Sequence, residues 1–87
     1  MSQNAQQTYL FTVTSGQVLT ITNARGVSVL ASGGTATIVN SAAQTMTIPS
    51  STSIDVSADS GNTLAVLTIT ASSAAYVVMI GGNGVIS

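Results

Sequence analysis

Apolar and polar positions alternate with a period of two along most of the chain, and no 3.6-residue apolar stripe interrupts them. Cut at the Gly, Pro, Asn and Ser clusters, the pattern predicts eight short strands, over 8–14, 17–22, 27–31, 35–39, 44–48, 53–57, 63–71 and 75–80. The expected inward positions are Tyr9, Phe11 and Val13, then Leu19 and Ile21, Val27 and Val29, Ala36 and Ile38, Met46 and Ile48, Ile54 and Val56. In the seventh strand Leu67 and Ile69 share one face, while Leu64, Val66, Thr68 and Thr70 share the other. The eighth is apolar on both faces, the pattern of a strand at the centre of a sandwich or at a subunit contact. Turns spaced about every 8 to 12 residues fit an all-β fold. We expect a small single-domain antiparallel β-sandwich or barrel, jelly-roll or Greek-key like. It spans 1–87, with a polar arm over 1–7 and a Gly-rich tail over 81–87.

Composition agrees. Thirteen Thr, ten Val and seven Ile are β-branched and suit a pleated sheet, while the helix formers Glu and Lys are absent. Only 3% of the 87 residues are charged, against about 25% in an ordinary soluble protein. There is no His, Cys or Trp. The ionisable side chains are Arg25, Asp55, Asp59, Tyr9 and Tyr76. General acid–base catalysis needs a group that titrates near the working pH, and the many Ser and Thr hydroxyls have no His or Lys to activate them. We therefore expect no enzyme and no cofactor.

One Arg and a net charge of −1 cannot supply the counterion release that drives binding to phosphate backbones, so no nucleic-acid partner is expected. Soft and borderline metals want Cys or His. The oxygen-rich stretch from Asp55 to Asn62 offers hard-ion ligands but lacks EF-hand spacing and a bidentate Glu, and reads as a polar turn. The longest strictly apolar run is Ala74 to Ile80, too short to span a bilayer as a helix, so no membrane insertion is expected. Residues 1–7 carry neither a basic residue nor an apolar core, so we expect cytoplasmic synthesis without a signal peptide.

These exclusions point to assembly. A domain this small buries only about 60% of its unfolded surface, and neither a disulfide nor a metal is expected to reinforce it. A free-standing small domain usually carries several net charges against association; this one carries a single unit. We expect a homo-oligomer, with a trimer preferred. Tyr76, Val85 and Ile86 are the candidate apolar anchors. Arg25, the sole cation, lies in a Gly-containing turn where it meets either a partner carboxylate or solvent. The tail has two possible placements: added to a neighbour's sheet, or folded on its own domain.

Five Thr-x-Thr triplets recur, at Thr12-Val13-Thr14, Thr20-Ile21-Thr22, Thr35-Ala36-Thr37, Thr45-Met46-Thr47 and Thr68-Ile69-Thr70. They resemble the ladders of some insect antifreeze proteins. Their first residues, however, are 8, 15, 10 and 23 positions apart, which denies a solenoid repeat. The simpler reading is that Thr suits the wet face of a strand.

Taken whole, a short, cysteine-free, Ser/Thr/Gly/Val-rich all-β chain resembles the small auxiliary proteins of tailed-bacteriophage virions: decoration or cement proteins and the bases of head or tail fibres. The resemblance covers the full length and rests on composition and strand pattern, so no site residue is carried over. It implies a homo-oligomeric sandwich that docks on a major capsid or tail protein and stabilises the particle, localised to the virion. Two other classes stand beside it. A host-glycan or receptor-binding module would want aromatic platforms and carboxylates, which are scarce here. A self-polymerising extracellular fibre subunit would form filaments without any shell.

Overall fold

The period-two segments become nine strands in the computed structural model, which describes residues 8–59 and 61–87. The strands are β1 (Thr8–Thr14), β2 (Val18–Thr22), β3 (Gly26–Ser32), β4 (Ala36–Asn40), β5 (Thr45–Ile48), β6 (Ser53–Ser57), β7 (Leu67–Ala71), β8 (Ala74–Ile80) and β9 (Asn83–Ile86). The expected arm over 1–7 lies outside the described residues. Among those described, no helix is long and apolar enough to cross a membrane.

The strands form two antiparallel sheets, β1-β8-β3-β6 and β5-β4-β7-β2-β9. Strands β1 to β8 thus follow the jelly-roll order, and β9 extends the second sheet beside β2. Only β4 and β5 are both consecutive and paired; every other connection crosses from one sheet to the other. Asn40 shapes that one hairpin. Its Oδ1 accepts from the backbone N–H of Ala42 and Gln44 at 3.0 and 2.9 Å, and its Nδ2 donates to Gln44 Oε1 at 2.9 Å.

Alternation places the core. Val13, Val27, Val29, Ala31, Ala75, Val77 and Met79 face inward from the first sheet, and Leu19, Ile21, Ala36, Ile38, Ile48, Leu67 and Ile69 meet them from the second. Ala24, on the β2–β3 connection, closes one end. No polar side chain is buried among the described residues, so burial of aliphatic groups, about 1.5–3 kcal/mol for each fully covered Leu, Ile or Val, holds the layers together.

Three expectations are corrected. Tyr9 shares the inward face opposite buried Met79 yet is exposed, and Phe11 is only half-buried, because β1 is an edge strand. Met46 is 53% exposed, and Ile54 and Val56 are half-buried, because the two sheets do not close over one another along the β5 and β6 edges. Residues 63–66 are not strand: the Leu64 N–H donates to Ala24 O at 2.7 Å, which anchors this stretch as the crossing from β6 to β7. Of the two placements expected for the tail, it takes the one on its own domain, as β9. The Ser87 N–H donates to Val18 O at 2.9 Å, and the Val18 N–H returns the bond at 3.2 Å.

The turn into β9 depends on Gly82, which sits at φ 74°. A Cβ there would lie 2.5 Å from Thr22 O and 2.6 Å from Ala24 N, both rigid backbone atoms. Gly82→Ala therefore adds a steric clash to left-handed strain, at a cost of about 3 kcal/mol or more. Urea unfolding should show this loss; an unchanged midpoint would contradict the close approach.

Candidate interaction surfaces

With the inner faces spent on the core, what the molecule offers a partner lies on its two outer faces, its open seam and its turns. On the outer face of the first sheet, cross-strand register sets Leu10 opposite Val78 and Tyr76 opposite Leu30. Val78 and Tyr76 are same-face neighbours along β8, so the four side chains form one apolar ridge across three strands. Their exposures are 75% for Leu10, 48% for Tyr76, 40% for Leu30 and 36% for Val78. Thr12 and Ser28 border the ridge, beside Tyr76 and Val78 respectively. Beyond them, Ser28 Oγ donates to Asp55 Oδ1 at 2.6 Å and ties β3 to β6. An apolar centre with a polar border is the anatomy of an interaction patch.

The outer face of the second sheet is different in kind. Four of the five Thr triplets lie on its strands, with Thr35 just before β4. Their outward members are Thr20, Thr22, Thr37, Thr45, Thr47, Thr68 and Thr70. Thr12-Val13-Thr14 lies on the opposite sheet. Along the open seam, a cleft of about 350 Å³ has walls that include Ile38, Met46, Ile54 and Leu67, with Asn40 and Gln44 also lining it.

The sequence-predicted interaction residues do not converge. Tyr76 stands at the centre of the apolar ridge. Val85, 64% exposed, lies on the opposite side of the sandwich, while Ile86 opposes Leu19 on the core side of the same edge strand. Arg25 occupies the β2–β3 connection with its side chain exposed. Its backbone N–H donates to Ile80 O at 2.8 Å, and its carbonyl accepts from the Ala58 N–H at 2.9 Å. The oxygen-rich stretch is split: Asp55 is within β6 and engaged by Ser28, while Asp59 lies beyond the strand end. Sequence reasoning passed over Leu10, Leu30 and Val78. Leu10 and Leu30 each occupy an outward position of a strand whose inward set is already apolar, and that excess was the available signal.

No family model, no characterised protein and no solved structure matches this chain.

The tail serves the fold first. Gly84 crosses the Phe11 ring so closely that a Cβ would stand 2.7 Å from Cζ, and Ile86 flanks buried Leu19. Deleting residues 85–87 removes the Ser87–Val18 bond pair and the half of β9 that pairs with β2 at Leu19 and Thr20. The loss should be about 3 kcal/mol, a fall of more than about 10 °C in Tm. Thermal denaturation followed by circular dichroism would read it, and an unchanged Tm would make the tail a mere appendage.

Proposed function

We propose that this protein is a non-enzymatic structural module. It associates with copies of itself through the outer face of the β1-β8-β3-β6 sheet, and as an oligomer it docks on a larger assembly. The observation that carries this reading is the ridge of Leu10, Val78, Tyr76 and Leu30 on a chain with almost no charge. Small soluble domains rarely leave so contiguous an apolar feature uncovered. No charge lies on the ridge to select an oppositely charged partner. A second copy presents a surface of the same chemistry. Beside the ridge, β1 stands last in its sheet and carries no Pro, Gly or charge over its seven residues, features that in other strands block edge pairing.

Jelly-roll sandwiches occur in viral capsids and in lectins, an analogy at the level of fold alone. Composition favours the first, with a capsid or tail protein as the larger partner and a virion as the site of action. The mechanism is mass action: surface buried between neighbouring subunits favours the assembled state over the free one. Ridge side chains supply area, and Ser and Thr hydroxyls desolvate at less cost than charges when they find partners.

Sedimentation equilibrium tests the self-association step. The wild-type chain should have the mass of an oligomer, three copies being the preferred number. Leu10→Ser combined with Tyr76→Ser should be monomeric with an unchanged β-type spectrum, because both side chains are exposed. Val85→Ser, on the opposite face, should leave the mass unaltered. A wild-type monomer at high concentration would overturn the reading.

A further inference from the structure

Independently of that reading, we propose that the outer face of the second sheet is a binding surface for ordered water, and that the protein adsorbs to ice. Strand pairing makes the face a two-dimensional lattice. One row across the sheet runs Thr47, Thr37, Thr70, Val18; the next runs Thr45, Val39, Thr68, Thr20, Val85. All nine positions are β-branched, six Thr and three Val. Neighbours within a row stand about 4.8 Å apart and those along a strand about 6.7 Å apart, as sheet geometry requires. The first is close to the shorter oxygen repeat in the planes of hexagonal ice, and the second falls somewhat below the longer one.

Three properties suit that face to a water lattice rather than to liquid water. None of the six Thr hydroxyls makes a hydrogen bond to another protein group among the described residues, so each is available to anchor a water molecule. Methyl groups stand beside every hydroxyl and at the Val positions, and apolar groups order the adjacent water without binding it. The five strands contain no charged residue, which would hold a hydration shell of its own. The array is also stiff. β-Branched side chains have few χ1 options, and β4, β7 and β2 are each paired on both sides.

Sheet twist sets the size of the matching patch. At about 20–25° between neighbouring strands, the rotation reaches about 40–50° across three, so the best-matched patch is β7 with the facing rows of its two neighbours: Thr68 and Thr70 with Thr37, Val39, Thr20 and Val18. A patch of that size should adsorb to ice and slow recrystallisation, with little depression of the freezing point.

Partition into slowly growing ice is the direct test. The sequence has no Lys, so an amine-reactive dye labels only the N-terminal amine. Labelled wild-type protein should be enriched severalfold in the ice over a similarly sized control protein. Thr68→Tyr and, separately, Thr20→Tyr place a ring above the lattice and should bring enrichment down to the control value with the circular dichroism unchanged. Tyr76→Ser, on the opposite face, should retain it. Exclusion of the wild-type protein from ice would overturn the proposal. So would enrichment that survives in folded Thr68→Tyr or Thr20→Tyr.

Discussion

The covering of β8 is the constraint from which the rest of this structure follows. The strand lies inside its sheet between β1 and β3, and it is apolar on both faces. Ala75, Val77 and Met79 are satisfied by the second sheet, with 1% exposure or less. Tyr76 and Val78 face outward, where the fold supplies no covering layer. A sandwich of two layers can shield only one face of each sheet, so apolar residues on an outer face are left to intermolecular contact or to water.

Scarcity of charge sharpens that consequence. Most small proteins resist association through net charge and through Lys or Glu on sheet edges. Here β1 and β9 end their sheets without a single charged side chain. The two outer faces have diverged instead by side-chain type. One concentrates Leu, Val and Tyr; the other concentrates Thr and Val. The first resembles a protein interface in composition, and the second offers hydroxyls and methyls in regular rows. Their placement on opposite sides of the sandwich leaves each free to act without blocking the other.

Much of the core was legible in the alternation. Leu19 and Ile21, Val27 and Val29, and Ala36 and Ile38 all face inward as expected, because a one-residue slip would turn each whole set outward. What escaped was whatever depends on which strands become neighbours. Tyr9 and Met46 fit the inward pattern, yet both lie on edge strands and remain exposed. The segment over 63–66 alternates like a strand but serves as a crossing, held by Leu64 on Ala24. The short apolar foot at Val85 and Ile86 gave no sign of its pairing with β2, some 65 residues earlier. The Thr triplets make the same point. Irregular spacing along the chain rules out a solenoid, yet jelly-roll order gathers four of them on one sheet whatever that spacing. Leu10 and Leu30 were legible in principle, since an outward Leu in a strand whose inner face is already apolar is surplus to its own core.

The central claim is that the Leu10–Val78–Tyr76–Leu30 ridge is buried between molecules. An NMR dilution series on isotope-labelled protein tests it residue by residue. The account predicts concentration-dependent shifts or broadening at the amides of Leu10, Leu30, Tyr76 and Val78, with the amides of Thr37 and Thr68 on the opposite face unmoved. Spectra that do not change with concentration and show a monomer's relaxation rates, or changes confined to the Thr face, would contradict it.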